Sequence, residues 1–406
     1  MKILQINSCH YRRGGADVVY LNTGKLLEDH GHIVSYFSQN SSGNLESTTS
    51  KYFIKETDYF DKSFLSKIYS VPRFFYSNEA KIQISKLLTE LKPDVAHIHL
   101  YKGVLTPSIL KELKKNKIPV VITLHDYGFL CPHNSMLEGQ MNICFKCIHG
   151  TALHCIINKC NRNNLILSTV SSLEFIFHKT FFPFEKYFNR IIAVSKFAQK
   201  IHQESGQFKR KIDHLYNFYP NLETKERNIK KGTYFLYFGR LSPEKGLKTL
   251  FSAWQTKERK SKLIVVGNGE LFDELNQLAS VTKSIEMPGY KTGLELNEII
   301  REASFIIVSS ECNENNPLTI IEAYSNGKPV IGSDTGGIPE IIDVGNTGYV
   351  FEMKSVEDLS EKIEMAESID EKEYARLSEN SRSFAELHFS EEAHYRALMD
   401  IYKELI

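Results

Sequence analysis

The chain has 406 residues, of which 42% are hydrophobic and 24% are charged, and its formal net charge is +1. This length suits two or three domains with separate cores, and the composition is that of an ordinary globular protein. The sequence has no apolar run of the 18 or more residues that a membrane-spanning helix needs. Its first residues are typical of a buried strand and not of a cleavable signal peptide. We therefore expect a cytoplasmic globular protein.

The near-neutral charge conceals a basic half and an acidic half. Residues 1–215 contain 28 Lys and Arg against 17 Asp and Glu, a difference of +11, whereas residues 216–406 contain 22 against 32, a difference of −10. Such a division favours two domains with different partners. A basic surface would suit anionic lipid or a lipid pyrophosphate, and the alternative is an ordinary solvated surface of lysine-rich helices.

The first half of the chain alternates strand-like apolar runs with helical patterns, which is typical of a parallel α/β sheet. Strands are predicted at residues 2–7, 32–38, 95–99, 120–125 and 190–195. Helices are predicted at residues 16–30, 79–91 and 106–116. A polar stretch at residues 216–231 then predicts a domain junction.

The second half repeats the alternation. Strands are predicted at residues 234–238, 262–266, 284–287, 305–309, 329–332 and 348–351, and residues 355–406 are predicted to be helical throughout. Two doubly wound domains would place their ligands at the carboxyl ends of the strands.

The most informative stretch of the chain is residues 311–340. Glu314 and Glu322 are eight residues apart, and the proline of Asn315-Asn316-Pro317 between them is a helix-start residue, since its missing N–H costs nothing there. The free N–H groups at the start of such a helix form an anion site. The carboxylate of Glu322, about one turn further in, would accept hydrogen bonds from paired hydroxyls. A site that binds a phosphate next to a pair of hydroxyls is suited to the ribose and diphosphate of a nucleotide.

Six motifs, in the same order along nearly the whole chain, resemble those of the retaining nucleotide-sugar glycosyltransferases of glycosyltransferase family 4. They are Gly14-Gly15-Ala16, Thr123-Leu124-His125-Asp126, Phe238-Gly239-Arg240-Leu241 followed by Glu244-Lys245-Gly246, Val265-Val266-Gly267-Asn268-Gly269, Pro288-Gly289-Tyr290, and the pair Glu314 and Glu322. The turn Gly336-Gly337-Ile338-Pro339-Glu340 resembles a further family turn, for which a purely structural role is the alternative.

The resemblance implies an α/β fold of the GT-B type, with two Rossmann-like doubly wound domains facing across a cleft. The expected domains are an acceptor-binding domain at residues 1–216 and a nucleotide-sugar-binding domain at residues 217–389. A C-terminal helix at residues 390–406 is expected to cross back onto the first domain.

The resemblance also implies roles for individual residues. The donor diphosphate is expected at Gly15, Arg240, Lys245, Leu318 and Thr319, the nucleoside at Gly289, Tyr290 and Glu322, and the catalytic chemistry at His125, Asp126 and Glu314. In these enzymes the first glutamate positions the sugar and stabilises charge, and the departing phosphate helps to deprotonate the acceptor.

The residue types fit these roles. The planar fork of an arginine and the mobile charge of a lysine would neutralise a leaving diphosphate without a metal ion. His125, at the end of a strand, would donate to a sugar hydroxyl or to the developing charge, with Asp126 orienting it or binding the acceptor. The alternatives are solvated loop cations for Arg240 and Lys245, a helix-start carboxylate for Glu314, and a structural histidine.

The implied activity is transfer of a sugar from a nucleoside-diphosphate sugar, with UDP as the expected nucleotide. The expected acceptor is a lipid-linked or growing bacterial surface polysaccharide, such as capsule or O-antigen. No cofactor is expected for catalysis and no nucleic-acid partner, and a peripheral contact with the cytoplasmic face of the inner membrane would suit such an acceptor. The alternatives are a nucleotide-sugar epimerase on the same fold and a non-catalytic nucleotide-sugar-binding or assembly protein. A dinucleotide dehydrogenase is disfavoured, since Gly267-x-Gly269 does not continue into G-x-G-x-x-G.

Five of the seven cysteines lie in an insert at about residues 131–160, which the family pattern does not explain. Two pairs, spaced C-x2-C and C-x4-C, have the spacing of ligands for a tetrahedral zinc ion, and disulfides are improbable in the cytoplasm. The candidate ligands of this structural zinc are Cys144, Cys147, Cys155 and Cys160. The alternative is reduced thiols packed as small hydrophobic groups. Because the insert closely follows His125-Asp126, we expect it to border the acceptor side and to influence acceptor choice.

Two further segments, residues 51–76 and 164–188, are rich in aromatic and basic residues. Either would suit a membrane surface. For residues 164–188 the favoured alternative is core packing, and residues 51–76 resemble the variable acceptor-binding region of the family.

Overall fold

The structure, a computed structural model, describes residues 1–56, 72–220, 222 and 230–406. The chain divides into two compact units, one formed by residues 1–215 with 394–406 and the other by residues 216–393. The predicted junction at residues 216–231 and the aromatic segment at residues 51–76 lie partly outside the described residues.

The first unit is built on a six-stranded parallel sheet. In chain order its strands are β1 (Lys2–Ile6), β2 (Ile33–Phe37), β3 (Val95–Ile98), β4 (Val120–Leu124), β5 (Arg190–Ala193) and β6 (Asp213–His214). They lie side by side in the order β2-β1-β3-β4-β5-β6, and all neighbouring strands are parallel. Every residue of β3 and β4 is buried, as expected for central strands of a parallel sheet that is covered on both faces.

The helices of the first unit follow the strands. They include α1 (Gly15–Asp29), α2 (Asn78–Leu91), α3 (Ser108–Lys115), α4 (Lys146–His149), α5 (Leu153–Ile157), α6 (Leu165–Phe181) and α7 (Lys196–Glu204). Several begin at a polar residue whose side chain accepts a backbone N–H of the first turn, as Ser77 does for α2, Asn164 for α6 and Ser195 for α7.

The second unit has a parallel sheet of its own. Its strands are β7 (Tyr234–Arg240), β8 (Lys262–Asn268), β9 (Ile285–Gly289), β10 (Phe305–Val308), β11 (Val330–Ser333) and β12 (Gly348–Phe351). Their order is β12-β11-β10-β7-β8-β9. The helices are α8 (Leu247–Gln255), α9 (Phe272–Ser280), α10 (Gly293–Glu302), α11 (Leu318–Ser325), α12 (Val356–Ser368) and α13 (Glu371–His388).

The last helix, α14 (Glu391–Lys403), belongs from His394 onward to the first unit. Leu398 and Met399 pack in one hydrophobic cluster with Ile3 of β1 and Ile192 of β5. This packing closes one side of the first sheet.

The predicted α/β fold class with parallel sheets is confirmed, and each of the eleven predicted strands is present. The sequence analysis missed β6, which has two residues and is too short to show a periodic pattern. Because the strands of each sheet are parallel, their carboxyl ends lie along one edge of that sheet. The loop after β4 carries predicted site residues in the first unit, and the loops after β7 and β10 carry them in the second. Among the helices of the described residues, none is long and apolar enough to cross a membrane.

Candidate functional site

In the second unit, two loops pack together beyond the neighbouring strands β7 and β10. Gly246 follows the 3-10 turn after β7 and has a φ of 65°, and a Cβ on it would lie 1.9 Å from the carbonyl oxygen of Ser309. The hydroxyl of Ser309 donates to the carbonyl of Lys245 at 2.8 Å, and the N–H of Glu311 donates to the carbonyl of Glu244 at 2.8 Å. Glycine is therefore required for this approach, which brings Lys245 to the loop that carries Glu314.

Lys245 and Glu314 form an ion pair with Nζ and Oε1 2.5 Å apart, and their side chains are 27% and 15% exposed. The same carboxylate oxygen accepts the hydroxyl of Ser310 at 2.7 Å. Burial by itself would raise the pKa of Glu314, but Lys245 and the Ser310 hydroxyl outweigh it and lower that pKa. Burial would lower the pKa of Lys245, but Glu314 and the nearby Cys312 raise it. Both partners are therefore charged at neutral pH.

The turn Gly336-Gly337 supports the backbone of Glu314. Gly336 has a φ of 60°, and a Cβ there would lie 2.3 Å from the Glu314 carbonyl oxygen. The N–H of Gly337 donates to that oxygen at 2.7 Å. The close contact explains the glycine at position 336 and holds the Glu314 loop in place.

Three asparagines surround Glu314 in the sequence and were not assigned a role by the sequence analysis. Asn313, Asn315 and Asn316 are 7%, 8% and 6% exposed. Within the described residues, Asn313 Nδ2, both amide atoms of Asn315 and Asn316 Nδ2 have no hydrogen-bond partner. Buried amides are normally paired, so these atoms are candidate contacts for a bound ligand. Their clustering in Glu311-Cys312-Asn313-Glu314-Asn315-Asn316 is the pattern that would have indicated them.

Helix α11 starts as the sequence predicts, directly after Pro317. The first backbone hydrogen bond into the helix is donated by Ile320 to the Pro317 carbonyl at 3.0 Å, so the N–H groups of Leu318 and Thr319 lie outside the helical ladder. Further along, Glu322 is half-buried. Burial, and after it the charge of Glu322, raises the pKa of Tyr219 to about 12, which indicates that the carboxylate lies near this phenol.

The other predicted donor residues of this unit are more exposed. Arg240 is exposed at the end of β7, and its charge helps to lower the pKa of Glu314. Gly289 has a φ of 82°, and Tyr290 after it is 70% exposed. Gly289 ends β9 and Tyr290 follows it, and β9 is the edge strand of the sheet, separated from β7 by β8. The structure thus brings Arg240, Lys245 and Glu314 together and places Tyr290 apart from them.

In the first unit, His125 follows β4 and takes part in a chain of hydrogen bonds. Its Nε2 lies 2.8 Å from Nδ1 of His99, whose Nε2 lies 3.0 Å from Oε1 of Gln5. Burial lowers the pKa of His125 to about 3 and that of His99 well below its usual value. Both imidazoles are therefore neutral at neutral pH.

The orientation of the Gln5 amide, whose Oε1 faces His99, sets the position of each proton along this chain. Since the Gln5 oxygen can only accept, His99 carries its proton on Nε2 and leaves a lone pair on Nδ1. His125 must then carry its proton on Nε2 and donate it to His99. The remaining nitrogen of His125, Nδ1, is consequently an acceptor, whereas the sequence analysis expected His125 to donate to a sugar hydroxyl.

Asp126 is half-buried beside His125, and its Oδ1 accepts the N–H of Gly128 at 2.8 Å. Burial raises the pKa of Asp126, and the N–H of Gly128 and the charge of Lys102 oppose that rise. A Cβ on Gly128 would lie 2.9 Å from this carboxylate. The tight turn therefore fixes the position of the Asp126 carboxylate.

Gly15 is the first residue of α1 and is exposed. Asp17, only 2% exposed, accepts the N–H of Gly14 at 3.1 Å on one carboxylate oxygen and the amide of Asn7 at 2.8 Å on the other. These bonds fix the glycine turn at the start of the helix.

The cysteine-rich insert packs its sulphur atoms close together. Cys147, Cys155 and Cys160 form one buried cluster, and the amide of Asn158 lies 3.9 Å from Sγ of the half-buried Cys144. A hydrogen bond with Cys160 lowers the pKa of Cys155 below its usual value. Among the described residues, no three His, Cys, Asp or Glu side chains are arranged so that they could hold a metal ion. The zinc hypothesis stays a prediction.

Comparison with known proteins gives matches over both units. The family model described as Glycosyltransferase Family 4 matches residues 13–220, and the model described as Glycosyl transferases group 1 matches residues 220–384. An uncharacterized glycosyltransferase of Methanocaldococcus jannaschii is 30% identical over 222 residues, which cover 53% of this chain and 60% of that protein. The lipopolysaccharide 1,2-N-acetylglucosaminetransferase of Salmonella typhimurium is 29% identical over 177 residues, which cover 40% of this chain and 46% of that protein. The chain thus spans about half the length of these two relatives.

Among solved structures, Anabaena HepE in complex with UDP and glucose has a TM-score of 0.68 and 16% sequence identity, with 100% of both chains covered. At this identity the likeness establishes the shared fold.

Proposed function

This chain belongs to glycosyltransferase family 4, and on that premise we propose that it is a retaining glycosyltransferase. It transfers a sugar from a nucleoside-diphosphate sugar to a lipid-linked or growing surface polysaccharide. The observation that carries the proposal is the pair Lys245 and Glu314, 2.5 Å apart, in loops that glycines press together beyond adjacent parallel strands.

The donor diphosphate binds at Lys245 and Arg240 and at the N–H groups of Leu318 and Thr319, with Gly15 as a further contact. Lys245 is held in its charged form by Glu314, so it meets the diphosphate as a cation. The start of α11 adds hydrogen-bond donors and a favourable dipole. The nucleoside binds at Glu322, Gly289 and Tyr290, with the Glu322 carboxylate accepting the two ribose hydroxyls.

In the transfer step the bond between the sugar C1 and the diphosphate oxygen breaks, and the nucleoside diphosphate leaves with both electrons. The acceptor oxygen bonds to C1 on the same face, and its proton passes to the departing phosphate. Lys245 and Arg240 stabilise the charge that develops on the leaving group. Glu314 positions the sugar and stabilises positive charge near C1.

His125 and Asp126 bind the sugar or the acceptor beside C1. Since Nδ1 of His125 is an acceptor in the tautomer described above, His125 receives a hydrogen bond from a sugar hydroxyl.

UDP is the nucleotide that we propose, and HepE in complex with UDP and glucose supports it. A surface polysaccharide acceptor is supported by the lipopolysaccharide 1,2-N-acetylglucosaminetransferase of Salmonella typhimurium.

For the insert we propose a structural zinc ion bound by Cys144, Cys147, Cys155 and Cys160. Burial of three of these thiols in one cluster supports it, and the side chains would have to rearrange to reach the Zn–S distance of about 2.3 Å, since in their present arrangement they do not form a metal site. Elemental analysis of the full chain, purified without an affinity tag, tests this. Less than about 0.3 equivalents of zinc per chain would contradict it.

The activity is tested by nucleotide release from UDP-, GDP- and ADP-sugars, with and without membrane-extracted lipid-linked glycans. We expect release from one UDP-sugar, and only with acceptor present. Lys245→Ala should abolish it, whereas Lys248→Ala should not. Lys248 is 62% exposed, and its Nζ lies 2.7 Å from Oε1 of Glu274, which is not one of the proposed site residues. Conversion of the donor to its epimer without acceptor would instead establish the epimerase. Donor binding without any turnover would establish a non-catalytic binding protein.

A further inference from the structure

Helix α6 of the first unit buries mostly polar side chains and exposes large apolar ones. Its buried residues are Ser168, Ser171, Ser172, Glu174, Phe175 and His178. Its exposed side chains include Leu165 at 53%, Ile166 at 73%, Leu173 at 51%, Ile176 at 40% and Phe181 at 61%. A surface helix of a globular protein normally buries its apolar face and exposes its polar one. Packing within the unit therefore does not account for the apolar face.

The exposed apolar residues share one face of the helix. Ile166, Leu173 and Ile176 lie 1, 8 and 11 residues after Leu165. With 3.6 residues per helical turn, these spacings place all four side chains on the same side of the helix. Thr169 lies among them, and it donates its hydroxyl to the Leu165 carbonyl at 2.8 Å, so it brings no unpaired donor to the face. The outward face is uncharged as well as apolar.

The apolar surface continues onto the neighbouring helix. Helix α5 packs against α6, and its Leu153 and Ile157 are 53% and 72% exposed. Residues 145–181 contain nine of the twenty large hydrophobic side chains that are exposed among the described residues. This concentration is what a binding surface requires.

The segment that forms this surface carries a net positive charge. Residues 145–181 contain four lysines and arginines, all of them exposed: Lys146, Lys159, Arg162 and Lys179. Of these, Lys146 is paired with Glu138, which lies outside the segment, at 3.9 Å. The one acidic residue within residues 145–181 is Glu174, which is buried, and its Oε1 lies 2.6 Å from Nδ1 of His178. Arg162 lies just before α6, and Lys179 lies in its last turn, so cations occur at both ends of the apolar face.

We propose that the outward face of α6, with the exposed apolar side chains of α5, docks on the surface of a bilayer that contains anionic lipid. Apolar side chains would enter the boundary between head groups and acyl chains, and the flanking cations would stay with the lipid phosphates. A second copy of this chain fits the face less well, because its cations would meet like charges. The docking does not depend on the proposed function, although a lipid-linked acceptor would give it a purpose.

Vesicle co-sedimentation of the full chain tests the proposal. The probes are phosphatidylcholine vesicles with and without about 30% phosphatidylglycerol. We expect binding to the anionic vesicles, and a partition coefficient at least about tenfold lower for the double variant Ile166→Glu/Leu173→Glu. The matched control is Val281→Glu/Leu294→Glu, since these side chains are 80% and 83% exposed on the second unit. Equal thermal unfolding of all proteins establishes that the variants fold.

Failure to bind anionic vesicles, or equal binding by wild type and Ile166→Glu/Leu173→Glu, would overturn the proposal. A concentration-dependent dimer that this double variant abolishes, without vesicle binding, would assign the face to a second copy and also overturn it. Titration of UDP into the same preparations separates this result from the proposed function. Vesicle binding without nucleotide binding would support the docking surface and contradict only the donor assignment.

Discussion

The two units bury polar groups near the carboxyl ends of their sheets in opposite ways. The second unit holds a charged pair, Lys245 and Glu314, whose partners keep each other ionised. The first unit holds a row of imidazoles that burial keeps neutral, with the pKa of His97 and of His125 lowered to about 3. A charged lysine suits a diphosphate, whereas neutral imidazoles suit hydroxyl groups. Under the proposed function, the second unit would recognise the donor diphosphate and the first unit the hydroxyl groups of the sugar.

The largest effect should come from breaking the contact that positions the charged pair. In Gly246→Ala the new Cβ would lie 1.9 Å from the Ser309 carbonyl oxygen at a φ of 65°. We expect the free energy of unfolding of the second unit to fall by about 3 kcal/mol, because both strain and overpacking oppose the native turn. Urea unfolding followed by the fluorescence of Trp254, the single tryptophan and a buried residue of this unit, measures it.

Gly293→Ala is the control for this prediction. Gly293 has a φ of 59°, but nothing lies within 4 Å of a Cβ there, so the variant should lose only about 1 kcal/mol from backbone strain. Equal losses in Gly246→Ala and Gly293→Ala would show that the contact between the two loops is not what restricts position 246.

The second prediction is that acidification lowers the stability of the first unit before that of the second. The buried histidines have folded-state pKa values below their usual 6.5, so the unfolded chain binds protons before the native one does. Their contribution is fully present above pH 6.5 and is lost as the pH falls toward about 3. The pKa of Glu314 is also lowered, but from 4.5, so its contribution is lost only at lower pH.

Hydrogen exchange between pH 7 and pH 5, corrected for the intrinsic rates, checks this order. Peptides from β3 and β4 should lose protection, whereas peptides from β7 and β10 should keep theirs. Loss of protection in the second unit first would contradict the contrast between neutral and charged burial.

The smallest effect should be a change of proton position in His125. His99→Phe removes the lone pair that receives the His125 Nε2 proton, so His125 should change from the Nε2-protonated form to a mixture of tautomers. NMR of histidine labelled with 15N measures this, with the exposed His149→Phe as control. We expect kcat to fall about tenfold at an unchanged donor KM, because His99 acts through His125. An Nδ1-protonated His125 in the wild type would contradict the assignment.

The sequence was sufficient to predict the sheets and the start of α11. Most strands are short runs rich in aliphatic and aromatic residues, and Pro317 marks the helix start, so both are local patterns. The family motifs also indicated Lys245 and Glu314 separately.

Contacts between distant residues were beyond the sequence. Lys245 and Glu314 are 69 positions apart, and their pairing depends on the adjacency of β7 and β10 in the sheet. The tautomer of His125 depends on Gln5, which is remote in sequence and adjacent only through β1, β3 and β4. The sequence analysis favoured core packing for residues 164–188. That is correct for Phe175, Phe182, Phe184 and Phe188, which are buried, but not for the outward face of α6.

The most direct test of the central claim is calorimetric titration of UDP into wild type, Lys245→Ala and Lys248→Ala. The account predicts that Lys245→Ala raises the Kd at least about tenfold, because a charge-assisted hydrogen bond to the diphosphate is lost, and that Lys248→Ala leaves it unchanged. Equal affinity of all three proteins for UDP would contradict the assignment of Lys245 to the donor diphosphate.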